Sequence, residues 1–135
     1  MIRQLDDKTL IGGQIAPADL PELKRHGVTL IVNNRPDGED PGQPLSADIE
    51  AAAAEAGIEY RFCPIARGIG PSEVDCMQEA WRDVGDGKML AFCRSGTRST
   101  LAWAVARAKD GVPRQELEER AGAVGFDLSP VAHLL

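Results

Sequence analysis

One stretch of this chain combines residue types that can do covalent chemistry: Phe92-Cys93-Arg94-Ser95-Gly96-Thr97-Arg98-Ser99. An apolar run, KMLAFC, leads into it, and a helix-forming run, GTRSTLAWAVARAKDG, leads away. A loop between a strand and a helix can turn consecutive backbone N–H groups inward, and the helix behind it adds the positive end of its dipole. Gly96 gives that loop its freedom to turn, and Arg94 and Arg98 add formal charge. A thiol in such surroundings loses its proton more readily than a free cysteine, and the thiolate is the nucleophile. Cys93 is therefore the candidate nucleophile and Arg98 the candidate charge stabiliser. Arg94, Ser95, Gly96, Thr97 and Ser99 are candidate anion- and substrate-binding residues, with the Ser99 hydroxyl as a donor toward sulfur. The plainer alternative is a buried strand-end cysteine followed by a solvated helix start. The coincidence of cysteine, two arginines, glycine and the strand–loop–helix setting favours the chemical reading.

Such a loop needs a sheet to hold it, and the chain supplies the pattern of one. RQLDDKTLIGGQ reads as a short N-terminal β-hairpin turning at Asp6-Asp7-Lys8. ADLPELKRHG reads as a short helix stopped by Gly27, and VTLIVNN as a buried strand, because its apolar run is nearly continuous and β-branched. SADIEAAAAEAG reads as a helix with Ser46 as its N-cap, and IEYRFCPI as a strand ended by Pro64. A helix from Ser72 to Val84, opened by a Ser72/Asp75 capping pattern, precedes the strand KMLAFC. After the helix that follows Cys93 come two further helical pieces, PRQELEERAGAVG and SPVAHLL. This alternation predicts a single α/β domain over residues 1–135, with three layers and a mostly parallel central sheet.

Right-handed crossovers place the carboxyl ends of such strands on one edge, where open α/β sheets bind ligands. The loops expected there are Asn33-Asn34-Arg35, Cys63 to Arg67, and Cys93 to Arg98. Arg35 and Arg67 are therefore candidates for holding the anionic tail of a substrate. Asn33 and Asn34 are expected to brace the Cys93 loop from behind. Cys63 reads as a structural thiol, with a resolving disulfide to Cys93 as the less favoured alternative, and Cys76 reads as core packing beside Trp81 and Val84. Trp103 and Val105 read as core.

Fifteen basic residues against 21 acidic ones give a formal charge of −6. The distant field repels nucleic acid and anionic lipid, so any anion site is local and neither is expected as a partner. No window approaches the roughly 18 apolar residues of a membrane span, and MIRQLDDKTL lacks a signal-peptide core. A cytoplasmic protein with reduced thiols is the expectation, since three cysteines without a CxxC pair suit neither a disulfide framework nor a zinc ribbon. His26 and His133 have no ligand neighbours at metal spacing, so no metal and no cofactor are expected.

CRSGTRS resembles the active-site loop of rhodanese-type sulfurtransferases. Protein tyrosine phosphatases share the cysteine-loop-arginine idea but place five residues between Cys and Arg, whereas four separate Cys93 from Arg98. The order GGQIAPADLPELKRHGVTLIVNNRPDGEDPGQP, AAAAEAGIEYRFCPI, LAFCRSGTRS is similar to the beta-lactamase-hydrolase-like domain family, up to about Leu128. That resemblance implies a protein tyrosine phosphatase-like fold with a rhodanese-like loop and activity as a sulfurtransferase or a phosphatase. It also implies kinship with domains that stand alone or are joined to a metallo-β-lactamase-type persulfide dioxygenase, here as a separate partner in sulfide detoxification.

The two chemistries make different demands. A phosphatase must protonate a departing alkoxide, and phosphatases of similar architecture use an aspartate in the loop after the preceding strand. That loop here reads Cys63-Pro64-Ile65-Ala66-Arg67-Gly68, with no carboxylate. Asp37, Glu39 and Asp40 on the first loop are substitutes, though they read more simply as a solvated acidic turn. Sulfur transfer from thiosulfate or glutathione persulfide to an acceptor thiol requires no general acid, because sulfite or a thiolate leaves unaided. The expectation is a rhodanese-type sulfurtransferase carrying a Cys93 persulfide. A cysteine-dependent phosphatase is the alternative, and a thiol redox sensor the non-enzymatic one.

Overall fold

A computed structural model describes residues 2–135. Five strands form one sheet: β1 Ile2–Asp6, β2 Thr9–Gly12, β3 Val28–Asn33, β4 Glu59–Phe62 and β5 Lys88–Phe92, in the order β1-β2-β5-β3-β4. Only β1 runs antiparallel, against β2; the pairs β2–β5, β5–β3 and β3–β4 are all parallel. The N-terminal hairpin is thus part of the central sheet, and its second strand lies directly against β5. Gly12, Asn33 and Phe92 stand level at one edge, with Phe62 paired to Asn33. The Cys93 loop begins there, in the middle of the sheet.

Alternation along the strands divides the core in two, because successive side chains of a strand point to opposite faces. Ile31, Leu90 and Phe92 meet Leu20, Leu23, Ile49 and Ala53 from α1 (Leu20–Arg25) and α2 (Ser46–Ala56) on one face. Leu30, Val32, Met89 and Ala91 meet Met77, Ala80, Trp103 and Leu117 on the other, from α3 (Pro71–Asp83), α4 (Thr97–Lys109) and α5 (Arg114–Ala123). The result is the expected three-layer arrangement. A 3-10 turn, Pro17–Asp19, precedes α1, and the expected last helix, SPVAHLL, is a 3-10 helix over Ser129–Leu134.

Several local expectations are corrected. Leu45, not Ser46, is the N-cap of α2. The N–H of Ser46 donates to Asp37 Oδ1 at 2.8 Å, so a carboxylate from the preceding loop satisfies the helix start. Gly70 is the N-cap of α3, and its N–H donates to Glu73 Oε1 at 3.2 Å, in place of the Ser72/Asp75 pattern.

The largest correction concerns the cysteines. Cys63 and Cys76 are joined in a disulfide, with Cα atoms 6.0 Å apart. Pairing became available because Cys63, at the end of β4, faces the first turns of α3, a proximity that the thirteen-residue separation does not announce. The expectations of reduced thiols and of Cys76 as simple packing do not hold.

Candidate active site

Cys93 is the one free cysteine, and it is 1% exposed. It leaves β5 at the centre of the sheet, and its N–H reaches back to Gly12 of β2 at 3.4 Å. The loop then turns tightly enough for Gly96 N–H to donate to Cys93 Sγ at 3.1 Å. Gly96 makes that turn with φ of +93°, where a side chain would be strained, and a Cβ there would stand 3.0 Å from Ile11 Cγ2. Gly13 allows the neighbouring approach, since a Cβ on it would lie 3.0 Å from the Arg94 carbonyl oxygen.

The acidity of Cys93 is the balance of opposed causes. Burial pushes the thiol up; the N–H groups of Ser99, Ser95 and Gly96, with the Ser99 hydroxyl, outweigh it and bring it below its ordinary value. The Ser99 hydroxyl has a single proton, directed in this structure to Asn34 Oδ1 at 2.7 Å, so Asn34 and the sulfur compete for it. Asn34 is itself fixed: its amide donates to the Cys63 carbonyl at 2.9 Å, and its N–H donates to the Phe92 carbonyl at 2.8 Å. Asn33 Oδ1 accepts from Arg35 N–H at 2.8 Å, and its amide donates to the Tyr60 hydroxyl at 3.0 Å. Both asparagines brace the loops at this edge.

Arg98, the second residue of α4, donates to both oxygens of Glu39, each at 2.8 Å, and to the Ile65 carbonyl at 2.8 Å. The Glu39 hydrogen bonds favour its charged form, against burial, and the Cys93 sulfur adds to that preference. Glu39 is correspondingly acidic. Its hydrogen bond to Arg98 outweighs burial and, with Arg35, brings its carboxyl down to about 2. The loop read as a solvated acidic turn therefore closes onto the cradle.

Arg35, expected to hold the anionic tail of a donor, is only 3% exposed. Its three guanidinium nitrogens are spent on Glu39 Oε1 at 3.0 Å, Gln14 Oε1 at 2.9 Å and Asp40 Oδ2 at 2.6 Å. As placed, it holds the acidic loop against the sheet edge. Asp40 continues the chain of charges to Arg94, 3.4 Å away on a side chain 69% exposed. Ser95 and Thr97 are exposed, with their hydroxyls 3.2 Å apart. Arg67 lies apart from this network, lining a cleft that also reaches Arg98. Residue types and loop positions pointed to Cys93 and Arg98 directly. In sequence, Glu39 reads only as a substitute acid within a solvated turn, and its pairing with Arg98 comes from the tertiary fold.

Among the described residues, no grouping of three or more His, Cys, Asp or Glu side chains could hold a metal ion. No helix there is long and apolar enough to cross a membrane.

Residues 1–110 match the family described as beta-lactamase hydrolase-like protein, phosphatase-like domain. The chain belongs to this family. It is 34% identical over 127 residues to a beta-lactamase hydrolase-like protein of Agrobacterium fabrum, covering 93% of this chain but only 29% of that protein. The crystal structure of a candidate phosphatase from Neisseria meningitidis is 33% identical and superposes with a TM-score of 0.78 over 97% of this chain and 94% of the other. Tk-PTP shares the fold at 22% identity, with a TM-score of 0.64 over 90% of this chain and 82% of its own. The protein tyrosine phosphatase-like fold implied by CRSGTRS and its surroundings is the fold observed. The family description and the name of the Neisseria structure are phosphatase-type, the alternative reading of the sequence, and neither names sulfur transfer.

Proposed function

We propose that this domain is a cysteine-dependent group-transfer enzyme whose Cys93 thiolate takes up a sulfane sulfur. The observation that carries this reading is the state of Glu39. It is the carboxylate held on the cradle arginine, and with its carboxyl at about 2 it carries no proton for a departing alkoxide near neutral pH. Asp37 is occupied in capping α2, and Asp40 in pairing with Arg35 and Arg94. The loop from Cys63 to Gly68 contains no acid at all.

In the proposed reaction, Cys93 Sγ attacks the outer sulfur of thiosulfate. A sulfur–sulfur bond forms at Cys93, the one in thiosulfate breaks, and its electron pair leaves with sulfite. The persulfide anion then occupies the place of the thiolate, where the Ser95, Gly96 and Ser99 N–H groups neutralise part of its charge. An acceptor thiolate attacks the outer sulfur and returns Cys93 as thiolate. No proton transfer is required in either step.

Phosphomonoester hydrolysis is the second reading, favoured by the family description and by the likeness to the Neisseria protein. It uses the same nucleophile, forms an S-phosphocysteine intermediate at Cys93 as the ester P–O bond breaks, and needs a proton for the leaving oxygen. Intact-mass measurement separates the two. After exposure to thiosulfate, wild-type protein should gain one sulfur atom and Cys93→Ser none. Efficient release of phosphate from an alkyl phosphate, with no sulfur uptake, would overturn the sulfur reading.

A further inference from the structure

Beside Arg98 the surface opens into a cleft of about 490 Å³, floored by the β4–α3 loop and α4 and walled by the C-terminal 3-10 helix. Its apolar lining includes Ile65, Ile69, Leu101, Val131 and Leu134. It shares Ile69 and Leu134 with a second depression of about 350 Å³ that runs on toward Val105 and Leu135. The charged side chains on the cleft are Arg67 and Arg98, with His133 beside them, and no carboxylate lines it. In a chain with 21 acidic residues and a net charge of −6, that is a local reversal of sign. The Ile65 carbonyl that accepts from Arg98 lies on this wall, so the cleft begins at the guanidinium that faces the reactive sulfur.

Thiosulfate and inorganic phosphate have no part that could fill such a space. A volume of this size suits an organic body of one or two rings, and apolar walls reward its burial. Resting on the sulfur-transfer reading above, we infer that the cleft is the subsite for the organic part of the donor, and that the preferred donor is a small apolar-bodied anion, such as an aryl thiosulfonate, with thiosulfate the poorer substrate of the same reaction. The anionic head of such a molecule would meet Arg98 and the loop N–H groups, and its ring would lie against Ile69, Leu101 and Leu134. Transfer then proceeds as for thiosulfate: Cys93 Sγ bonds to the terminal sulfur, and the arylsulfinate leaves with the electron pair.

The test separates binding from chemistry. Benzenesulfonate and methanesulfonate carry the same anionic head and no transferable sulfur, and their affinities can be read from backbone amide shifts. Benzenesulfonate should bind at least about tenfold more tightly, a difference expected from burying one ring. It should move the amides of Ile69 and Leu134 together with that of Gly96. Leu134 is 44% exposed, so Leu134→Asp leaves the core untouched while placing a carboxylate in the cleft. That variant should erase the difference between the two sulfonates, and Leu101→Ala should reduce it. Equal affinities, shifts confined to Gly96 and its neighbours, failure of both to bind, or indifference to Leu134→Asp would each overturn the subsite. Selective binding of benzenesulfonate without any sulfur gained from benzenethiosulfonate would retain the subsite and remove the sulfur-transfer reading.

Discussion

At the carboxyl ends of the strands, Cys93 lies buried among the N–H groups of its own loop, with Arg98 and Glu39 closing over it. At the opposite end of the sheet, Asp6 closes β1 beside a cavity of about 420 Å³. Asp6 Oδ2 accepts from the indole N–H groups of Trp103 at 2.8 Å and Trp81 at 3.3 Å, and Oδ1 from Lys8 N–H at 2.9 Å. Lys8 and Arg107 sit over the Trp81 ring, 3.7 and 3.4 Å from its centroid. Burial pushes the Asp6 carboxyl up, but these donors, Trp103 foremost, bring it below its usual value. Both regions therefore stabilise an anion near a cavity, fully buried at Cys93 and partly buried at Asp6.

Their difference lies in where the donors come from. At Asp6 the donors are side chains from α3 and α4 and a backbone N–H across the hairpin turn, so the anion ties separate elements together. At Cys93 the donors belong to one loop and the helix it opens, and the anion is a thiolate able to form a bond. A lowered pKa and a nearby cavity are thus shared by a structural cluster and a chemical one. What distinguishes them is the nucleophilicity of the atom, since Lys8, Arg107 and Arg120 line the cavity beside Asp6 as well.

Substitutions at the two ends should separate activity from stability. Cys93→Ser should lower sulfur uptake by at least about a thousandfold, since nucleophile removal leaves only binding effects. Its melting temperature should change little, because the hydroxyl fits the same buried space and can accept from Gly96. A thiosulfate-transfer assay beside a thermal melt checks both parts. Arg98→Ala should cost about a hundredfold in the same assay, as expected for loss of one charge-stabilising group, with Arg98→Lys recovering only part of it.

Reducing the Cys63–Cys76 disulfide, or Cys76→Ser, should destabilise the fold by about 2–4 kcal/mol in denaturant unfolding. Sulfur uptake below the transition should persist, because Cys93 is not part of the pair. Equal activity loss in Cys76→Ser and Cys93→Ser would make the disulfide part of the reaction. Asp6→Asn should destabilise by about 1–2 kcal/mol without altering transfer. Because the folded-state pKa of Asp6 is depressed, its charge contributes stability that is present above an unfolded value near 3.8 and lost as pH falls through the lower folded one. The wild-type protein should therefore lose stability on acidification in that range more steeply than Asp6→Asn.

The smallest effect expected is at Glu39. With the Glu39 carboxyl at about 2, the pH–rate profile should show one rising limb, from the Cys93 thiol at a pH below that of an ordinary thiol, and no falling limb from a general acid. Glu39→Gln should raise thiosulfate uptake a few-fold by releasing Arg98 to the anion. A bell-shaped profile that loses its alkaline limb in Glu39→Gln would make that carboxylate the missing acid and favour phosphatase chemistry.

Much of this molecule was legible from residue types alone. Local rules placed every strand and helix within a few residues, because apolar β-branched runs, Gly27, Gly57 and Gly111 act over distances shorter than the elements they delimit. The Cys93 loop was legible for the same reason: nucleophile, glycine, arginine and helix start are contiguous, so their geometry follows from one turn of chain. Three decisions belonged to tertiary structure. Cys63 and Cys76 pair because the end of β4 and the start of α3 are brought together across a loop. Arg35 spends its charge on Gln14, Glu39 and Asp40 because it is buried between the segments that follow β2 and β3. Glu39 becomes a fixed partner of Arg98, 59 residues away in sequence. Charge pairing and disulfide formation depend on through-space distance, which a single sequence encodes only through the complete fold.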